Sequence, residues 1–308
     1  MRTMGLGSSG LQVPVVAVGC MRLRTLEPEA AERFLETALE QGGNFFDHAD
    51  RYGNGASESL FARALHLGEP GGRRRDEVII QSKCGIRDTM YDFSQEHILS
   101  AVEGSLRRLH TDYLDVLLLH RPDALMEPEE VAEAFSSLQH AGKVLHFGVS
   151  NMKPSQIDLL QRALPEPLVA NQLQLSLTNA TMIAHGINVN MENAAAVDRD
   201  GSVLDYCRLH DITIQPWSPF QYGFFDGVFI GSDRYPELNR VLERVAGDHG
   251  VTATTIAVAW LLRHPARMQP VIGTMNPARL GQCLQAANVP LSRQEWYDLF
   301  VAAGNPLP

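Results

Sequence analysis

The chain is predicted to fold as an α/β protein, a (β/α)8 TIM barrel with a short N-terminal hairpin capping the barrel bottom. Three observations predict it. Apolar runs bounded by turn residues alternate with amphipathic helical segments to the end of the chain, the rhythm of a parallel sheet with helical crossovers. The apolar runs number eight, the count that a closed barrel requires and an open doubly wound sheet does not. No linker, repeat or low-complexity tract interrupts the series, so residues 1–308 read as one domain.

The strand candidates are 13–19 (VPVVAVG), 44–47 (NFFD), 77–83 (EVIIQSK), 115–120 (DVLLLH), 143–150 (KVLHFGVS), 168–173 (LVANQL), 212–217 (ITIQPW) and 270–273 (PVIG). Between them, Ala31, Phe34, Leu35, Ala38 and Leu39 form one apolar helical stripe, and Ile98, Val102, Leu106 and Leu109 form another. Pro28 and Pro128 stand in first-turn positions, Ser94 is an N-cap, and Gly42 and Gly142 follow helix ends. Two connections are long for a compact domain, 174–202 and 218–236, and loops of that length are usually functional. The second carries five aromatic residues before Tyr235, an unusual content for a solvated loop, and is expected to close over a ligand.

Gly5 to Gly10 matches the dinucleotide fingerprint G-x-G-x-x-G, which works only where a strand meets a helix N-terminus. Here Leu11-Gln12-Val13-Pro14 follows, an extended segment, so the glycines read as a turn.

With 44% hydrophobic and 20% charged residues the composition is that of a soluble globular protein. A net charge of −10 disfavours nucleic acid and anionic membranes as partners, leaving a small molecule as the expected one. There is no apolar signal core and no membrane-spanning run, so a cytoplasmic location is expected. The four cysteines, Cys20, Cys84, Cys207 and Cys283, are scattered, which suggests neither zinc nor disulfides.

In a barrel of this kind the C-terminal strand ends converge on one face, so polar residues closing successive apolar runs become neighbours. Asp47 ends the second run, Lys83 the third and His120 the fourth, with Tyr52 in the loop after Asp47. Singly, each residue suits a capping or structural role; together they suit proton transfer to a carbonyl oxygen. Tyrosine, with an ordinary pKa of about 10, needs a neighbouring cation to be an effective acid. Lys83 is that cation, Asp47 keeps it charged, and His120 orients the oxygen. Ser150, Asn151, Gln172, Trp217 and Ser218 close the later strands.

The segments F-F-D-H-A-D-R-Y-G, I-I-Q-S-K-C-G, L-L-L-H-R-P and F-G-V-S-N resemble, in order and over nearly the whole chain, the signatures of the aldo-keto reductase superfamily. They are close to those of a bacterial branch of oxidoreductases with His-Ala-Asp after the aspartate. The resemblance implies extended NADPH bound without a Rossmann domain, and hydride transfer to an aldehyde or ketone beside the tyrosine. It places Ser150, Asn151 and Gln172 at the nicotinamide carboxamide and Trp217 on the ring. Asp47, Cys20 and Met21 fall near the reactive end, Ser218, Pro219, Phe220 and Gly223 along the pyrophosphate, and Gly273, Thr274, Arg279, Gln282 and Cys283 around the adenosine ribose. No lysine stands near Gly273 to meet a 2′-phosphate, which leaves Arg279 for that role and NADH as the alternative cofactor. Cys283 stands where asparagine is common. The stretch 174–202 is long for the family, its tip directed either to the substrate pocket or away from it. The chain is expected to act as a monomer or small homo-oligomer. Two rival functions are a cofactor-sensing subunit of the same fold and a barrel lyase with Lys83 as Schiff-base nucleophile.

Overall fold

A computed structural model describes residues 1–308. Ten strands are present: β1 (Thr3–Gly5), β2 (Gln12–Pro14), β3 (Ala17–Gly19), β4 (Phe45–Asp47), β5 (Ile79–Cys84), β6 (Leu114–Leu119), β7 (Val144–Ser150), β8 (Ala170–Gln174), β9 (Thr213–Trp217) and β10 (Val271–Ile272). The helices are α1 (Pro28–Glu40), α2 (Ala56–Ala64), α3 (Gln95–Leu109), α4 (Pro128–His140), α5 (Pro154–Gln161), α6 (Thr181–Ile187), α7 (Val203–Leu209), α8 (Pro236–His249), α9 (Ala253–Arg263), α10 (Pro277–Gln285) and α11 (Arg293–Ala302). None of them is long and apolar enough to cross a membrane.

Strands β3 to β9 pair in parallel in chain order, and β10 pairs with β3. The amide of Gln269, just before β10, donates to the Ile214 carbonyl of β9 at 3.0 Å, which brings the two ends of the sheet together. The result is the (β/α)8 TIM barrel. Its strands read as continuous apolar runs because helices cover their outer face and side chains fill the interior. The apolar stripes of α1 and α3 are buried as their spacing predicts, Pro28 and Pro128 open α1 and α4, and Ser94 caps α3 by accepting from the His97 amide.

The predicted strand 13–19 is two strands. β2 pairs antiparallel with β1, and the chain bends at Val15 and Val16 before β3 enters the barrel. Proline has no N–H for a ladder, so Pro14 ends β2 and offers its carbonyl to Gln269 Nε2 at 2.7 Å. The hairpin plugs the barrel bottom: Leu6 and Val13 are fully buried against Ala17, Phe45, Val116, Leu118 and Val169. The glycine-rich segment is the hairpin turn. Gly7 adopts φ 50°, and a Cβ there would lie 2.4 Å from the Val169 carbonyl oxygen.

Candidate active site

Successive strand ends deliver the polar residues to one rim. Asp47 closes β4 and pairs in register with Gln81 of β5, so Lys83, two residues on, points the same way into the barrel. The Lys83 ammonium donates to both Asp47 carboxylate oxygens at 2.7 and 2.8 Å, to the His48 carbonyl at 2.7 Å and toward the Tyr52 hydroxyl at 3.1 Å. The side chains of Lys83 and Asp47 are 0% and 2% exposed. Burial alone would strip the ammonium of its proton, but the charge of Asp47 and the bonds to Asp47 and Tyr52 carry Lys83 above its ordinary range.

Burial lifts the Tyr52 phenol, the Lys83 charge pulls it down, and the net position is above the ordinary value. The His120 ring meets the Tyr52 ring edge-on, with centroids 6.0 Å apart. Burial, followed by the charges of Lys83 and Arg121, holds His120 well below its ordinary range, so it is a neutral imidazole at neutral pH.

An amide network lies beneath the ion pair. Gln81 and Gln172 each donate to Asp47 Oδ1, at 2.6 and 2.9 Å, and both also donate to Gln215 Oε1. Gln215 donates in turn to Gln81 and to Gln269. Asp47 Oδ1 thus accepts from three donors, Lys83, Gln81 and Gln172, which satisfy the buried oxygen.

Above the rim opens a cavity of about 720 Å3, within the roughly 300–1,000 Å3 of small-molecule sites. Tyr52, His120, Asn151 and Gln172 line it from the β4 to β8 side of the rim, Thr274, Asn276 and Arg279 from the segment after β10, and Trp217 to Phe220 from the end of β9, which lies between β8 and β10. Asn151 and Ser218 both adopt left-handed backbone, φ 59° and 53°, a conformation rare outside glycine that clusters at functional sites. Asn151 donates to Ser150 Oγ at 2.7 Å and accepts from the Trp217 indole at 3.1 Å, which fixes the edge of that ring.

A family model described as the aldo/keto reductase family matches residues 15–300. The chain belongs to the aldo/keto reductase family. It is therefore an oxidoreductase of carbonyl compounds, in a family that uses nicotinamide cofactors. It is 38% identical to an uncharacterized oxidoreductase, YcsN, of Bacillus subtilis over 95% of both chains. It is 34% identical to a 6-dehydroglucose reductase of Agrobacterium fabrum over 96% of both chains. Among solved structures it resembles a thermostable aldo-keto reductase in complex with the inhibitor epalrestat, with a TM-score of 0.79, 26% identity and coverage of 98% of this chain and 100% of that one.

In this aldo/keto reductase Met21, Asp47, Tyr52, His120, Ser150, Asn151, Gln172, Trp217, Ser218, Pro219, Phe220, Gly273, Thr274 and Arg279 line the cavity. Four expected cofactor contacts are absent from its wall. Cys20 is fully buried, its Sγ on the Val18 carbonyl, and Cys283 is fully buried on the core face of α10. The main-chain carbonyl of Gln282 accepts from the Thr255 hydroxyl at 3.0 Å, and Gln282 is not among the lining residues. Gly223 sits on the loop after β9, its carbonyl bonded to Gln174. The connection 174–202 folds into α6 and packs away from the cavity, where Asn188 donates to the Pro306 carbonyl and Leu177 accepts from Asn305. Its first residues clamp the aromatic loop instead: Ser176 donates to the Gln221 carbonyl at 2.7 Å.

Arg22 and Arg121 line the cavity and were not singled out in the sequence. Arg22 stands after β3, and its Nη1 donates to the Gly273 carbonyl at 3.2 Å, on the cavity wall to which Arg279 also contributes. Neither residue closes an apolar run, so the strand pattern did not mark them, although Arg121 lies inside the L-L-L-H-R-P segment. Gln81 and Gln215 did leave a signal, a polar residue inside a strand run at the spacing of inward positions.

Proposed function

We propose that the chain reduces aldehydes or ketones to alcohols with NADPH, Tyr52 acting as general acid. The observation that carries this is the Tyr52 hydroxyl, held 3.1 Å from a buried ammonium while its side chain lines the same cavity as His120.

The residues present fit a dinucleotide. Trp217 offers a flat, edge-anchored ring, Ser150, Asn151 and Gln172 offer polar groups beside it, and the far end carries two guanidiniums. Bound there, the cofactor supplies a hydride to the carbonyl carbon. Ser150, Asn151 and Gln172 would hold its carboxamide, Trp217 its ring, Ser218 to Phe220 its pyrophosphate, and Gly273, Thr274 and Arg279 its adenosine ribose. Arg22, tied to Gly273, and Arg279 give this cavity two guanidiniums suited to a 2′-phosphate, and this supports NADPH over NADH.

As negative charge grows on the carbonyl oxygen, Tyr52 donates its proton. A phenol raised by burial is a reluctant acid, and the Lys83 ammonium offsets this by stabilising the phenolate left behind. Asp47 keeps Lys83 charged, with Gln81 and Gln172 holding the carboxylate. His120, neutral, donates one N–H to the substrate oxygen without competing as a proton acid. The same geometry opposes the lyase alternative, since a Schiff-base lysine needs a depressed pKa and Lys83 is raised.

The test is NADPH oxidation with a panel of carbonyl compounds, including 6-dehydroglucose because a relative is named for it. Tyr52→Phe is expected to lower kcat/KM by about 10²- to 10⁴-fold while NADPH still binds. Turnover of Tyr52→Phe at the wild-type rate ends this reading.

A further inference from the structure

Arg121 follows His120 directly in the chain and lines the cavity at the same end as Tyr52. Its guanidinium carbon lies 5.5 Å over the centroid of the Trp217 ring and 5.8 Å over that of Phe224. Other partly buried arginines are neutralised: Arg75 meets Asp115 at 2.6 Å and Arg108 meets Glu58 at 2.7 Å. No carboxylate faces Arg121. The groups bearing on its charge are the phenols of Tyr91 and Tyr52, and burial holds the guanidinium below its ordinary value. A half-buried cation that has gained only ring faces keeps part of a desolvation cost that an oxyanion would offset.

The charges around the cavity show where that anion belongs. Asp47 and Lys83 cancel, while Arg22 and Arg279 stand at the β10 end. One positive charge remains beside the reacting end. We infer that Arg121 determines substrate specificity by pairing with an oxyanion on the carbonyl substrate, a carboxylate, so that the preferred substrates are oxo acids with an apolar or aromatic body. A monoanion neutralises the guanidinium. A phosphate dianion would leave net negative charge next to an oxygen that is itself becoming negative, and so would oppose the reaction. A guanidinium, unlike an ammonium, can bind a carboxylate with two parallel N–H bonds.

This inference rests on the proposed reductase activity, and its test separates the two. With NADPH, kcat/KM is measured for meta- and para-formylbenzoate, for their methyl esters, and for the corresponding formylphenyl phosphates, using wild type, Arg121→Gln and Arg121→Lys. The wild type is expected to prefer acid over ester by about 10- to 100-fold, the worth of a charge-assisted pair. The ratio is expected to fall toward one in Arg121→Gln and to lie between in Arg121→Lys, which keeps the charge without the fork. A wild-type ratio near one overturns the inference and needs no variant. A preference for the phosphate overturns the carboxylate assignment. An unchanged ratio in Arg121→Gln with a raised KM for NADPH assigns the residue to the cofactor and also overturns it. Failure of every aldehyde, esters included, strikes the reductase activity itself.

Discussion

Lys83 uses its ammonium on a buried carboxylate, a buried carbonyl and the phenol that lines the cavity. Removing one member of such a buried pair strands the other, so Lys83→Met is expected to cost about 3–5 kcal/mol of stability and to abolish turnover, checked by denaturant unfolding alongside activity. His48 offers a cleaner titration. It is fully buried with both ring nitrogens unpartnered, edge-on to Phe61 at 4.6 Å, and burial followed by the Lys83 charge pulls it down to about 3. A folded-state pKa depressed below the unfolded value of about 6.5 gives stability that is present above pH 6.5 and lost as pH falls toward 3. The loss from His48 by pH 5 is about 2 kcal/mol. His48→Leu removes no hydrogen bond, so its melting temperature relative to wild type is expected to rise between pH 7 and pH 5; equal shifts at both would contradict this. Asp47, Tyr52, Lys83 and His120 were legible in the sequence because each sits at or just after a strand end. His48 was not singled out, since its isolation comes from what packs around it.

At the scale of elements, seven of the eight strand runs translate into barrel strands with shifts of a residue or two at their ends. Buried parallel strands have no solvent-facing side to blur the pattern. The first run fails because two apolar strands in tandem, one for the plug and one for the barrel, look alike until Pro14 is given its place. The hairpin turn supplies a matched pair of variants. Gly7 and Gly10 both have positive φ, but a Cβ at Gly10 meets nothing within 4 Å. Gly10→Ala is expected to cost about 1 kcal/mol from backbone strain alone. Gly7→Ala carries that strain together with the collision against the Val169 carbonyl, and should cost clearly more by chemical denaturation. The two long connections were read as separate features and are one device. Gln174 and Ser176 hold the Gly223 and Gln221 carbonyls, and Gln221 lines the cavity. Ser176→Ala is accordingly expected to weaken NADPH binding severalfold, read by fluorescence titration, with the fold intact.

For the molecule as a whole, the barrel was legible from strand count, and the cavity only in part, from strand ends and family signatures, because the rest of its wall comes from loops whose paths no periodicity encodes. Arg22 comes from the segment after β3 and reaches Gly273 near the other end of the chain. If the two guanidiniums share a 2′-phosphate, Arg22→Ala should lower the ratio of NADPH to NADH efficiency by about tenfold, in keeping with one charge-assisted bond; a ratio that does not move leaves Arg279 alone in that role. The amides of Gln81, Gln172, Gln215 and Gln269 form an unbroken line from the Asp47 carboxylate to the Pro14 carbonyl. Clipping the amino-terminal plug would therefore leave Gln269 without its acceptor, and every amide above it would be free to turn over. The floor of this enzyme is in that sense an anchor for its chemistry, and a shortened chain should betray itself in the pH profile of turnover as well as in its resistance to heat.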